Sequence, residues 1–329
     1  MNRFRSAIVG CGGIAQVHAR ALSQMENVQL AAYADVKPER AQALAGQYGG
    51  RAYASLDALL DQEPLDVLHI CTPHFLHLPM AQAAASRGIA VFTEKPPVIS
   101  RAQWQEFQAL PGPVGVCFQN RFNPSAAYAR ELLEGGALGP ALGARAFVTW
   151  RRESPYYTES GWRGALATEG GGALINQAIH TLDLMVRFMG PASSAQAMLA
   201  NFHLPGVIEV EDTLAAYIRF EAGSGVFYAT TAHAADAPIL LELACRDGAL
   251  RIEGEEVTVT HPDGRKERRD FAQENAVAGK AYWGSSHGRC IQAFYRSLET
   301  GEPFLDDIAG VRDTVELMLD IYQSARGEG

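Results

Sequence analysis

Phe4-Arg5-Ser6-Ala7-Ile8-Val9-Gly10-Cys11-Gly12-Gly13-Ile14-Ala15 decides how this chain folds. An apolar run stops at Gly10, and a helix-compatible stretch opens at Ile14. Residues 10–15 fit the pattern G-x-G-x-x-G/A, which is informative only where it closes a strand and opens a helix. Both conditions hold. Gly10 permits the tight turn, Gly12 lets the backbone approach a pyrophosphate, and Ala15 lets the helix pack close to the strand. Gly13 and Ile14 open the helix, whose free N–H groups and positive dipole end would meet the phosphates. A second apolar run, Val28–Ala34, ends at Asp35, about 20 residues past the turn, where a carboxylate accepts hydrogen bonds from the adenosine ribose. That carboxylate would repel a 2′-phosphate, so NAD is expected in preference to NADP, with Lys37 softening the preference. The competing reading is a structural glycine turn with a helix-capping Asp. It leaves the joint occurrence of turn and acid unexplained.

Working outward, the same rhythm continues. Helical stretches are expected over 14–25, Pro38–Tyr48 and about 78–87, with apolar runs at 67–71, 89–93 and 114–118. Short apolar runs separated by helices indicate βαβ units and a parallel sheet covered on both faces. After Asn123-Pro124 the pattern changes to alternating segments at 144–151, 194–204, 212–221, 225–233, 239–246 and 249–260, joined by turn signals such as Asp247-Gly248. These predict a largely antiparallel sheet. Helices are expected at about 174–189, 290–300 and 308–324. The expected fold class is therefore α/β: an N-terminal Rossmann doubly wound parallel sheet, then a C-terminal α+β domain with a large, mostly antiparallel sheet. The domain boundaries read as 1–122 for NAD binding and 123–329 for substrate binding and oligomerisation, the final helix being free to pack back on the first domain. A cleft between the two, at the carboxyl ends of the parallel strands, is where the active site is expected.

Composition narrows the partners. The chain has 329 residues, a formal charge of −9 and 47 % hydrophobic residues. An acidic chain without a basic block is a poor binder of nucleic acid or anionic membrane. Arg265, Lys266, Arg268 and Arg269 are interrupted by Glu267 and follow Asp263-Gly264, so they read as a solvated hairpin arm. The basic start Arg3-Phe4-Arg5 imitates a signal peptide, but glycines break its apolar run at once. No stretch reaches the ~18 apolar residues of a membrane span. The five cysteines are odd in number, lack metal-ligand spacing and read as buried reduced thiols. The cytoplasm is the expected compartment. No metal is expected: His74 and His77 have ligand-compatible spacing, and His180 could be added, but no Cys or acidic cluster completes a site.

The chain resembles the family of glucose–fructose oxidoreductase and inositol 2-dehydrogenase (Gfo/Idh/MocA) over nearly its whole length. The resemblance rests on residues 10–15, Cys71-Thr72-Pro73, Glu94-Lys95-Pro96, and Gly170-Gly171-Gly172 leading to His180-Thr181-Leu182-Asp183. It implies transfer of a hydride between the nicotinamide of NAD and a secondary hydroxyl or ketone of a sugar, glycoside or cyclitol. Alternatives from other classes are a glycoside-cleaving enzyme that recycles tightly held NAD, and a non-catalytic NAD or sugar sensor. By resemblance, Lys95 lies at the nicotinamide and the substrate hydroxyl, and Thr72, Pro73, His74, His77 and Glu94 lie along the cofactor. Trp162 and Arg163 would approach its nicotinamide end, while Arg152, Tyr156, His180 and His287 would face substrate. The resemblance also implies a homodimer or homotetramer formed through the outer face of the second sheet, for which Leu214, Ala216 and Ile218 are candidates.

The residues themselves support a chemistry site. Oxidising a carbinol needs a group to take the hydroxyl proton, and Lys95, just past the fourth strand run, is suited to it. An ordinary lysine titrates at about 10.4, and burial or a neighbouring positive ring lowers such a group. Asn176, His180 and Asp183 share one helical face by spacing, beside an apolar stripe of Ile175, Ile179, Leu182 and Val186. Many relatives have aspartate where this chain has Asn176. Asparagine cannot be a general base, although its amide can hold a hydroxyl. Proton transfer then falls to Lys95 and His180, with Asp183 orienting His180 or capping local structure. Two aromatic–basic clusters, Tyr156-Tyr157 with Trp162-Arg163 and Tyr282-Trp283 with His287, suit sugar rings, whose C–H faces pack on aromatic faces.

Overall fold

A computed structural model describes residues 3–274 and 286–327. The chain forms two compact units, Met1–Phe118 with His287–Val311, and Gln119–Ser286 with Arg312–Gly329. The sequence suggested one cut after residue 122. The chain instead returns to the first unit with most of the helix Ser286–Thr300, so the units interleave in sequence.

The first unit alternates β1 (Phe4–Val9), α1 (Gly13–Ser23), β2 (Val28–Ala34), α2 (Pro38–Tyr48), β3 (Arg51–Tyr53), α3 (Leu56–Gln62), β4 (Val67–Ile70), α4 (His77–Ala85), β5 (Ala90–Thr93), α5 (Arg101–Gln108) and β6 (Val114–Val116). The six strands are all parallel, in the order β3-β2-β1-β4-β5-β6. Chain order reverses between β1 and β4, the switch point outside which ligands bind in doubly wound sheets. Strands β4, β5 and β6 are buried at every position, which is why they read as predominantly apolar runs. Sequence patterning missed β3, α3 and α5. The edge strand β3 is largely exposed and carries no apolar run, while α3 has only seven residues and α5 only eight.

The second unit opens with α6 (Pro124–Glu134), then β7 (Ala141–Thr149), the short helices α7 (Ser154–Thr158) and α8 (Leu166–Glu169), and a π-helical turn at Ala173–Ala178 running into α9 (Ile179–Met189). Strands β8 (Ala192–Ala200), β9 (Thr213–Phe220), β10 (Ser224–Thr230), β11 (Leu240–Cys245), β12 (Gly248–Glu253), β13 (Glu256–Thr260) and β14 (Lys266–Asp270) follow. The eight strands form one sheet, β14-β13-β12-β11-β7-β10-β9-β8, antiparallel except for the β7–β10 pair. Residues 249–260, read as one segment, are two strands. Gly254, with φ of +58°, opens a two-residue turn that a continuous strand pattern conceals. The basic arm is β14, exposed along its whole length, as a solvated hairpin requires.

The face assignment of β9 needs a correction. Leu214, Ala216 and Ile218 are buried. They face the core of their unit, so they are not the outer surface for which the sequence reading chose them. The outer face instead carries Met198, Tyr217 and Val226, which are 77 %, 43 % and 48 % exposed.

Candidate active site

The glycine turn follows β1, Thr72 follows β4 and Lys95 follows β5, so three parallel neighbours deliver them to one edge of the first sheet. Gly10 has φ of +82°, and a Cβ there would lie 2.7 Å from the carbonyl of Cys71. No other residue fits. A Cβ on Gly12 would meet nothing within 4 Å, so the backbone there borders open space. Helix α1 starts beside it with no side-chain cap and no acid in its first turn, leaving its N-terminal dipole uncompensated by side chains. Asp35 is buried and ties the turn together. Its Oδ2 accepts from the Cys11 N–H at 2.7 Å and its Oδ1 from the Lys37 N–H at 2.8 Å.

His77 joins the two loops beyond β4 and β5. Its Nδ1 lies 2.6 Å from the Pro96 carbonyl and its Nε2 2.9 Å from the Thr72 carbonyl. Burial pushes its pKa down, against the pull of those carbonyls and Glu94. The ring is fully enclosed, so what it sets is the spacing of the Thr72-Pro73 and Lys95-Pro96 loops. The Lys95–Pro96 peptide is cis, and Lys95 is half-buried.

Behind Glu94 lies a network that sequence reasoning did not find. His18 Nε2 stands 3.0 Å from Glu94 Oε1, and His18 Nδ1 stands 3.0 Å from His69 Nδ1. His69 Nε2 reaches Tyr295 Oη at 2.9 Å, which meets Ser6 Oγ at 2.6 Å. Burial alone would raise the Glu94 carboxyl, but His18, with His287 and Lys95, overcomes it and holds Glu94 below the usual carboxylate range. Burial, with the nearby His18, pushes His69 well down, so its ring is neutral. The one available signal was His69 inside an otherwise apolar buried strand. The described residues also bring ligand atoms of His18, Glu94 and Cys117 within 4.8 Å of one another. His287 belongs to this region, buried with its ring centroid 6.4 Å from that of His18. The structure thus sets it beside the Glu94 network. Its sequence companions Tyr282 and Trp283 lie outside the described residues.

The second unit gathers the other candidates. Arg163 stacks over the rings of Tyr156 and Trp162 at 4.5 and 4.8 Å. Arg152 lies over Tyr156 at 5.5 Å and pairs with Asp236 at 3.0 Å. The triple glycine is explained by close approach: a Cβ on Gly171 would strike the Tyr322 hydroxyl at 2.1 Å, and one on Gly172 the Glu211 carbonyl at 2.0 Å. Past it, the π-helical turn changes the helical phase on which the sequence reading relied. Gln177, which was not singled out, donates to the Tyr156 hydroxyl at 2.7 Å and accepts from Arg152 at 3.3 Å. Gln119 Nε2 lies 3.2 Å from His180 Nε2.

Asp183 does not share the environment of His180. It is fully buried and accepts from Arg121 Nη2 at 2.5 Å, Arg121 Nε at 2.8 Å and Thr314 Oγ1 at 2.7 Å. Its partners make it an internal brace of the second unit.

The geometry now has a counterpart among known proteins. The model of an oxidoreductase family with an NAD-binding Rossmann fold matches residues 4–122, and the Gfo/Idh/MocA C-terminal domain matches residues 126–258. The chain belongs to the Gfo/Idh/MocA oxidoreductase family. Within that family, the D-glucoside 3-dehydrogenase of Escherichia coli is 28 % identical over 254 residues, covering 70 % of each chain. The inositol 2-dehydrogenase of Rhizobium meliloti is 32 % identical over 139 residues, 41 % of this chain and 42 % of that one. Among solved structures, the WlbA dehydrogenase from Bordetella pertussis, in complex with NADH and UDP-GlcNAcA, superposes with a TM-score of 0.87 at 26 % identity. That match covers 100 % of this chain and 98 % of the other. This Gfo/Idh/MocA protein thus carries an NAD-binding Rossmann domain beside the C-terminal domain of its family.

Proposed function

We propose that the protein is an NAD-dependent dehydrogenase acting on a secondary hydroxyl of a sugar, glycoside or cyclitol. The observation that carries this is the arrival, at one sheet edge, of the glycine turn with Asp35 and the Glu94-Lys95-Pro96 loop. The residues present fit the dinucleotide. Open space at Gly12 and the α1 N-terminus suit its pyrophosphate. Asp35, locked by two backbone N–H groups, suits a ribose diol and disfavours a 2′-phosphate. Gly13, Ile14, Ala15, Thr72, Pro73 and His74 complete the cofactor assignment, with His77 setting the loop spacing. Trp162 and Arg163 stay assigned to it on the family resemblance.

Bound nicotinamide would accept the hydride. Lys95 takes the hydroxyl proton in oxidation and returns it in reduction. Glu94, held ionised by His18, keeps a negative charge beside that ammonium group. Arg152, Tyr156, Asn176 and His180 are assigned to the sugar. The names of the relatives support this substrate class. The test is a panel of sugars, glycosides and polyols offered with NAD and with NADP. NADH should form with NAD and at least one polyol. Glycoside splitting without NADH, seen by chromatography, or binding without turnover across the panel would overturn the reading.

We further propose that the protein works as a homodimer or homotetramer. Met198, Tyr217 and Val226 make an exposed apolar area on the outer face of the second-unit sheet, where charged residues would be expected on a monomer. Val226 and Tyr217 are directly paired across β10 and β9. The double substitution Tyr217→Asp/Val226→Asp is expected to halve or quarter the mass measured by light scattering while leaving the fold intact. A native protein that is already monomeric refutes the assignment. The five buried cysteines, none of them in a disulfide, favour a reducing compartment, which makes the cytoplasm the proposed location.

A further inference from the structure

Glu169 was not among the residues selected from sequence, yet it is one of the most completely buried carboxylates of the second unit. Its Oε2 accepts from the Gly164 N–H at 2.5 Å, and its Oε1 accepts from Asn176 Nδ2 at 2.5 Å. Asn176 Nδ2 also lies 3.5 Å from the Tyr156 hydroxyl. While Glu169 is ionised it can only accept, which leaves the amide one allowed orientation: NH2 toward Glu169 and carbonyl away from it. Turning it over would place the carbonyl oxygen against a carboxylate.

We propose that Glu169 is a positioning residue that locks the Asn176 amide so that its carbonyl oxygen is offered to a hydroxyl of the substrate. Position 176 thereby presents a hydrogen-bond acceptor without a charge of its own, the negative charge standing one residue behind it. This rests on the reading of Asn176 as a sugar contact.

The charge balance around Glu169 shows why its presence asks for a function. Burial pushes its carboxyl up to about 7, against the hydrogen bonds from Gly164 and Asn176 and the pull of Arg163. Glu211 adds like charge, though its own carboxylate is tied to the N–H groups of Gly172 and Leu174 and to the Tyr322 hydroxyl. Tyr156, Tyr157 and Tyr322 are the other titratable groups in its field. A carboxyl whose folded pKa is raised destabilises the fold progressively as pH rises from its ordinary value through its folded value. Glutamine carries no such penalty. A residue that costs stability at neutral pH is the kind retained at functional sites.

The experiment compares native protein with Glu169→Gln, Asn176→Asp and the double variant. Nuclear magnetic resonance of the Asn176 side-chain amide, assigned by its loss in Asn176→Asp, reads the lock without substrate. Its proton shift should titrate with a midpoint near 7 in the native protein and not in Glu169→Gln. The melting temperature of Glu169→Gln should fall less than that of native protein as pH rises through this range. With methyl β-D-glucopyranoside and the polyol panel, Glu169→Gln should raise KM on the order of tenfold with kcat little changed. Asn176→Asp alone sets two carboxylates a hydrogen bond apart, where only one ionises readily, and should be impaired above neutral pH. The double variant restores a donor at 169 facing an acceptor at 176 and should recover most of the lost affinity. An Asn176 amide signal that is the same in native protein and in Glu169→Gln, or a double variant no better than the singles, overturns the proposal. Absence of native turnover across the panel, with the amide titration intact, overturns the dehydrogenase reading and removes the sugar hydroxyl from the proposal.

Discussion

Lys95→Ala is expected to lower turnover by roughly 10²–10⁴-fold, the usual contribution of a positioned acid–base group, while NAD affinity stays close to native. The geometry separates the two effects. The Lys95 side chain is framed by its neighbours: Glu94 is anchored by His18, and the Pro96 carbonyl is held by His77. Removing the ammonium leaves that frame, the glycine turn and Asp35 in place. Lys95→Arg should fail almost as badly, because a guanidinium stays protonated and cannot take a proton. Titration of NAD by calorimetry and single-turnover hydride transfer would measure the two quantities. Loss of binding together with loss of turnover would make Lys95 a cofactor contact, and an active Lys95→Ala would remove it from the chemistry.

What the sequence disclosed and what it hid divide along a physical line. Strands β1 and β2 and helix α2 were legible to the residue, because the two strands are mostly apolar and end at Gly10 and Asp35, and Pro38 marks the first turn of the helix. The glycine turn and Asp35 were legible because their spacing along the chain is itself the constraint. The network behind Glu94 was not. Ser6, His18, His69 and Tyr295 come from β1, α1, β4 and the helix Ser286–Thr300, and only the fold brings them together. A histidine in an apolar strand looks like an isolated core residue until its partners are known. The reversed face of β9 has another cause: a period of two separates the faces of a strand without saying which meets the core. The Asn176–Glu169 contact was hidden because Glu169 ends α8, before the triple glycine and outside the helix whose spacing was read, so only the fold brings the two together.

Asp183→Ala should destabilise the protein by about 3–5 kcal/mol, the cost of stripping one partner from a buried ion pair. The side chains of Arg121 and Asp183 are 2 % and 0 % exposed, and Thr314 supplies a further hydrogen bond to the carboxylate. Alanine would leave the guanidinium buried without its counter-charge, far costlier than losing the Thr314 hydroxyl, for which about 1 kcal/mol is expected in Thr314→Val. Total stabilities of about 5–15 kcal/mol make such a loss visible as a large drop in the denaturation midpoint. Replacing both partners, as in Arg121→Met/Asp183→Leu, removes charge and counter-charge together and should recover much of it. If Asp183→Ala melts like the native protein, the pair is not a brace. The outcome also governs how activity data on this helix are read. His180 and Asp183 belong to one sequence motif, yet His180 meets the Gln119 amide while Asp183 is clamped by Arg121 and Thr314. An inactive Asp183 variant would therefore report a lost fold, and a role for it in proton transfer would require full inactivation in a protein whose denaturation midpoint had not moved.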